Sequence, residues 1–294
     1  MEAGEHARSQ HLPAARVEDP MTVAPIAPVA PYADVVDLDR YPIHDLGSEE
    51  GQAFLASCRA ELAEKGVCSL PGFVRPDAVA AMIDVANSNA QSAHSSETTH
   101  TVYFTVPDET VAEDHPLRRT VRSAKHGIAY DQLPADAPLR RLYEHDDLTA
   151  FIAAVLSKDV LYRSADPLDA LQVTTFRTGE ELGWHFDNSE FSVTVMYQQS
   201  EEGGDFDYVP GTRDETDERY DVVQAAIEED PALLVRLESS PGAMAIFRGH
   251  HALHRVTEVV GPTPRINSVL TYGERPDMRL SDLTSMLFYG RTSS

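Results

Sequence analysis

Cysteine is nearly missing from this chain: Cys58 and Cys68 are the only two among 294 residues. Two thiols build neither a disulfide framework nor a thiolate metal site. No stretch approaches the ~18–20 apolar residues that a membrane span needs. The opening residues, MEAGEHARSQHLPAAR, lack the apolar core of a signal peptide, so a cytoplasmic location is the expectation. Basic side chains are also scarce. Lys and Arg number 24 against 48 Asp and Glu, giving a formal net charge of −24 at pH 7. Such a surface repels phosphate backbones and anionic lipid, which argues against nucleic acid or membranes as partners.

Scarcity makes the exceptions informative. Arg118, Arg119, Arg122, Lys125 and His126 fall within nine residues. Either these cations neutralise an acidic surface, or one or more of them faces a substrate carboxylate.

Residues 1–33 are rich in Pro and Ala without hydrophobic period, and read as a disordered or loosely attached arm. Order is expected from Asp37–Ile43, within one domain spanning 34–294. Phe54, Cys58 and Leu62 recur every four residues before Gly66, which predicts an amphipathic helix over Glu49–Lys65. A short strand, Val67–Val74, follows. A second helix opens at Arg75-Pro76-Asp77 with Val79, Met82, Ile83 and Ala86 on one face. Another helix is expected over Leu148–Leu156, with an Asp as its N-cap. From about Asp169 to residue 275, short β-rich runs alternate with turn residues: 170–176, 183–187, 191–198, 204–209, 243–247, 254–260 and 265–272. Seven such strands predict an antiparallel sandwich or barrel, interrupted by an acidic, helical insertion over Thr212–Asp230. The fold class is therefore mainly β with flanking helices.

In Gly183-Trp184-His185-Phe186-Asp187, strand alternation sets His185 and Asp187 side by side, with Trp184 and Phe186 on the other face. An imidazole and a carboxylate so placed can chelate one divalent ion. The pattern alone is weak, since a second His-x-Asp occurs at His145-Asp146-Asp147, ahead of the predicted helix. His254, 69 residues after His185, offers a third ligand, with His250 and His251 as alternatives. Two histidines and one carboxylate form the facial triad of non-heme iron(II) oxygenases, with open positions for cosubstrate and dioxygen. Arg265 stands eleven residues after His254, and on a strand it shares a face with Asn267, Val269 and Thr271. A guanidinium inside an apolar barrel needs a carboxylate partner. A dicarboxylate bound to the metal at one end and to Arg265 at the other satisfies both.

His-x-Asp, then His254-Arg255-Val256, then Arg265 at +11 resembles the iron(II)/2-oxoglutarate-dependent oxygenases. The likeness extends over most of residues 66–275, including Gly66–Val74 and Glu202-Gly203-Gly204-Asp205-Phe206. Trp184–Phe191 (WHFDNSEF) is most similar to the subgroup of free amino-acid hydroxylases and radical halogenases. The resemblance implies a double-stranded β-helix, or cupin-like jelly roll. It also implies Fe(2+) and O2 at His185, Asp187 and His254, and 2-oxoglutarate at Arg265. Halogenases of this type carry a small residue in place of the carboxylate ligand, so Asp187 points to hydroxylation, with desaturation or ring closure as other ends of the same hydrogen abstraction. Relatives imply an amino-acid-like substrate whose carboxylate meets Arg122, which lies 63 residues before His185; Trp184, Asn188, Asn267 and Thr271 are further candidates for its pocket. Asn188 is a neutral amide where relatives acting on a cationic side chain have an acid. The competing readings are a non-catalytic cupin-like metal-binding protein and a zinc hydrolase. A closed structural site needs a fourth protein ligand and no interior arginine, and a hydrolase leaves Arg265 unexplained.

Overall fold

A computed structural model describes residues 31–293; residues 1–30 of the predicted arm lie outside it. The remainder of that arm is not loose. Tyr32 is 1% exposed and its hydroxyl donates to Asp147, so the packed chain begins before Asp37.

Helix α1 (Glu49–Lys65) starts where the Ser48 side chain accepts the Gly51 amide (3.0 Å). It stops at Gly66, whose φ of +74° is open to glycine at no steric cost. Helix α2 (Pro76–Ser88) has proline in its first turn and buries Val79, Met82 and Ala86. Helices α3 (Pro138–Tyr143) and α4 (Asp146–Val155) follow. The cap of α4 is His145, whose side chain accepts the Asp147 amide, rather than the expected aspartate. This second His-x-Asp is thus part of a helix start.

Eleven strands form one curled antiparallel sheet. They are β1 (Val67–Leu70), β2 (His94–Thr101), β3 (Thr120–Ile128), β4 (Leu171–Phe176), β5 (Leu182–His185), β6 (Ser192–Gln198), β7 (Phe206–Val209), β8 (Val235–Leu237), β9 (Met244–Phe247), β10 (Leu253–Val256) and β11 (Arg265–Leu270). Their order is β1-β9-β6-β11-β4-β3-β5-β10-β7-β8, with β2 added on β3. Seven of these lie in the β-rich runs predicted from 170 onward. The sheet also draws on β1, β2 and β3, ahead of that stretch, and on β8, which lies in no predicted run; the run expected as one strand over 254–260 breaks into β10 and a separate ladder at Val259–Val260.

Alternation gives the long wall two buried faces of opposite character. Leu171, Val173, Val193, Val195, Ile266 and Leu270 point outward, into the core shared with α1 to α4. Each such side chain contributes roughly 1.5–3 kcal/mol when removed from water. Their neighbours Gln172, Thr174, Ser192, Thr194 and Asn267 point inward and line a cavity. The short wall is covered by helix α5 (Tyr220–Ile227), which lies in the acidic insertion: Val223, Ala226 and Ile227 pack on Trp184, Phe186, Val209 and Leu253. Helix α6 (Asp282–Tyr289) crosses β2 and β3 and closes one side of the cavity. Among the described residues, no helix is long and apolar enough to cross a membrane.

Candidate metal centre and cavity

His185 ends β5 and His254 lies in β10, and the two are direct partners across that ladder. Their rings therefore meet, with centroids 4.1 Å apart. Asp187, two residues past His185, completes the group: its Oδ1 lies 3.7 Å from His185 Nε2 and 3.5 Å from His254 Nε2. Donor atoms of the three residues all fall within 4.8 Å of one another. His250 and His251 are not in this group; His250 Nδ1 is turned to the Asp187 carbonyl (3.0 Å).

The protonation pattern suits a cation. His185 Nδ1–H donates to the Gly183 carbonyl (2.8 Å) and His254 Nδ1–H to that of Ala252 (2.9 Å). Each donation fixes the tautomer and turns a free Nε2 lone pair inward. Burial, with His254 beside it, holds the His185 imidazolium down at about 3, against the pull of Asp187. Burial pushes the Asp187 carboxyl upward, but His254 and His185 outweigh it and bring it to about 2. Asp187 Oδ2 is buried without a hydrogen-bond partner. Two imidazoles with Nε2 turned inward and a carboxylate with an unused oxygen are the donors an Fe(II) or similar divalent ion needs.

These residues open on a cavity of about 330 Å³ that also contains Arg265, Asn267, Thr271 and Asn188. Arg265 begins β11, opposite Phe176 of β4. Its side chain is buried, donates to Asn267 Oδ1 and lies over the Phe176 ring at 5.4 Å, while its Nε has no partner. Burial draws its pKa down to about 10, against the pull of Asp205. A desolvated guanidinium with no bound carboxylate is costly unless a ligand brings one.

Two sequence candidates fall elsewhere. Trp184 is buried on the other face of β5, in the α5 core with Arg255 over its ring at 4.6 Å. Arg122 points out of the sheet and is tied to Glu97 (2.8 Å), Glu181 (3.5 Å) and the Gly179 carbonyl (2.9 Å). Its neighbours behave likewise, Arg118 with Glu113, Arg119 with Glu228 and His126 with Glu180. One member of the basic cluster does face the cavity: Lys125, with its ammonium 5.4 Å from the Phe288 ring centroid. It joins no ion pair among the described residues, and burial lowers its pKa, opposed by Asp169 and Asp187. Strand parity could have chosen it, because Ser123 and Lys125 share the inward face of β3 and Arg122 does not. Asp169, also unforeseen, lines the same space. It accepts from Tyr289 (2.6 Å) and Thr271 (3.2 Å), and burial raises its pKa to about 6 despite both bonds.

Comparison with known proteins agrees with this architecture. The family described as Halogenase D matches residues 51–286. No curated protein sequence matches. Among solved structures, the epimerase SnoN, in complex with Fe3+, alpha ketoglutarate and nogalamycin RO, is 18% identical with a TM-score of 0.51. That match covers 75% of this chain and 84% of SnoN. AviO1 from Streptomyces viridochromogenes Tue57 is 15% identical with a TM-score of 0.51, covering 77% and 97% of the two chains. These likenesses establish the fold, the jelly roll of the 2-oxoglutarate oxygenases. The match over residues 51–286 places the chain in the Halogenase D family, among the oxidoreductases of the 2-oxoglutarate-dependent oxygenase class.

Proposed function

We propose that the chain is an iron(II)- and 2-oxoglutarate-dependent hydroxylase of a small amino-acid-like substrate. The observation that carries this reading is the Asp187 carboxylate between two imidazoles in a cavity that also holds a buried guanidinium with an unsatisfied Nε and no carboxylate partner. A halogenase of this type has a small residue at the position of Asp187, so membership of a family named for halogenation does not carry that outcome here.

His185 and His254 would hold the iron through Nε2 and Asp187 through a carboxylate oxygen. With 2-oxoglutarate and dioxygen, bound iron(II) supplies the oxidant that takes hydrogen from an unactivated C–H, leaving succinate and CO2. The protein's own part is orientation. The Arg265 guanidinium, whose Nε lacks a partner, would hold the distal carboxylate of 2-oxoglutarate. Across the cavity, Lys125 and Asp169 offer one positive and one negative group, the complement of an amino acid's carboxylate and ammonium. Asn188 adds an uncharged wall next to Asp187, suited to a neutral side chain. Phe104, Phe176, Phe206 and Val256 keep the metal end apolar and shield it from water.

The reading is tested by adding Fe(II) and 2-oxoglutarate to the metal-free protein under anaerobic conditions. A weak visible absorption band is expected for the wild type and none for His254→Ala. A mass-spectrometric screen of amino acids, with succinate as the coupled product, then identifies the substrate by a gain of one oxygen. Absence of both the band and succinate overturns the oxygenase reading.

A further inference from the structure

The carboxylate of Asp187 stands on an unusual floor. Past His185 the strand β5 has ended, and the backbone of Asp187 is held instead by the turn after β9: the Asp187 amide donates to the Gly249 carbonyl (3.1 Å), and His250 Nδ1 donates to the Asp187 carbonyl (3.0 Å). That turn is fixed in its own right, because Arg213 Nε donates to the His250 carbonyl (2.7 Å) and the Arg248 amide to that of Gly66 (2.9 Å). Gly249 is buried directly against the carboxylate. A Cβ built on it meets Asp187 Oδ2 at 1.9 Å, Cγ at 2.6 Å and Cβ at 3.0 Å. No positive φ requires glycine here, so the demand is steric alone. Turning the carboxylate away relieves the first two contacts, but the third belongs to an atom pinned by the backbone on both sides.

We infer that Gly249 is a positioning residue of the metal centre: a carboxylate at 187 and a side chain at 249 exclude one another. The inference rests on the reading of Asp187 as a metal ligand, and extends it to a residue that touches no metal. Gly249 leaves the space in which that carboxylate can stand with Oδ1 toward both imidazoles. A methyl group at 249 displaces either the carboxylate or the turn that carries it, and both changes spoil the triad. With glycine at 187 the collision disappears, and a methyl at 249 becomes neutral.

The test is a double-mutant cycle on the full chain, with anaerobic calorimetric titration of Co(II) alone into metal-free wild type, Gly249→Ala, Asp187→Gly and the double variant, and a thermal melt of each metal-free protein. Gly249→Ala is expected to weaken Co(II) binding by about tenfold or more, the scale of a residue that orients a ligand. The double variant is expected to bind as Asp187→Gly does and to melt with it. If Gly249→Ala fails to fold, a folded double variant supports the inference, whereas a double variant that also fails shows that the turn needs glycine for its own sake. Wild-type affinity in Gly249→Ala overturns the proposal, as does a further large loss in the double variant relative to Asp187→Gly. A wild type that binds no Co(II) overturns the metal-ligand reading, and this inference with it; a wild type that binds while the cycle shows no coupling overturns the inference alone.

Discussion

The two ends of the cavity are built differently. At one end, His185, His254 and Arg265 project from strands β5, β10 and β11, all within one sheet and fixed by register. At the other, Lys125 comes from β3, Asp169 from the connection before β4, and Phe288 from the last turn of α6, whose Tyr289 donates to Asp169. On the proposed function, the first set serves chemistry common to many substrates and needs a rigid frame. The second is assembled from separate elements, so it can change with the substrate while the frame stays. Substitutions should divide the same way: at the frame they stop the oxygen-consuming reaction itself, and at the far end they spoil only its use on substrate.

The largest effect is expected at the triad. His254→Ala should bring succinate production to background with or without substrate, together with loss of bound metal, measured by iron content after anaerobic loading, and Asp187→Gly should abolish hydroxylation while weakening metal binding. Retained hydroxylation in Asp187→Gly would sink the ligand assignment. Arg265→Met comes next and has two signs. Removing the one charged group for the distal carboxylate should raise the KM for 2-oxoglutarate by roughly 10²-fold, from ~3 kcal/mol of charge-assisted hydrogen bonding. Because burial already draws the guanidinium's pKa down to about 10, the same change should raise the melting temperature of the ligand-free protein. A lowered melting temperature would mean that the unliganded arginine has a partner in solution.

Lys125→Met and Asp169→Asn test the far end. Each is expected to raise the KM for the amino-acid substrate by about 10- to 100-fold, one charged hydrogen bond, while uncoupled succinate formation continues. Loss of uncoupled turnover would erase the distinction between the two ends. Asp169 also predicts a pH effect. Its folded pKa, about 6, lies above its ordinary value of 3.8, so the folded state binds more protons than the unfolded one between those limits. Stability therefore falls as pH rises from about 4 to 6, and the penalty is complete above 6. Asp169→Asn should melt a few degrees higher at pH 7.5, on the order of 1–2 kcal/mol, and show no difference near pH 4.

Most of this frame was legible in the sequence because it rests on short-range rules. His185 and Asp187 do come together, although β5 stops at His185 and Asp187 lies just past it; helix α1 ends at Gly66, and β11 carries Arg265 and Asn267 inward. The strands missed were β8, which is three residues long and mostly exposed, and β2 and β3, which were hidden by the same fact that makes them useful. HSSETTHT has no apolar alternation, because its inner face carries Ser96 and Thr98 into the cavity rather than into a core. Asp169 was invisible for a different reason: its partners Tyr289 and Thr271 lie more than 100 residues away. The break at Thr257–Glu258 follows from Gly203 and Gly204, since a Cβ on Gly203 would lie 1.9 Å from the Glu258 carbonyl oxygen. That contact joins two distant segments, and no local pattern encodes it.

Arg122 gives the smallest expected effect and the sharpest check on how position was read. Its distance from His185 in the chain suggested a substrate contact, but it sits one residue from Ser123, and on a strand one residue is the other side of the sheet. Its guanidinium is already met by two carboxylates at the surface, with its side chain 41% exposed, so solvent screens most of what those pairs contribute. Arg122→Ala should therefore change the substrate KM less than about threefold and stability by about 0.5 kcal/mol or less. Ser123, its inward neighbour, accepts nothing comparable: its hydroxyl receives the Gly183 amide at 3.0 Å and meets His100 at 2.7 Å, which braces the strand that ends in His185. Ser123→Ala should then cost more than Arg122→Ala in iron retention, although serine is the smaller and uncharged residue. A large KM effect at Arg122 with none at Lys125 would show that the two faces of β3 had been assigned the wrong way round.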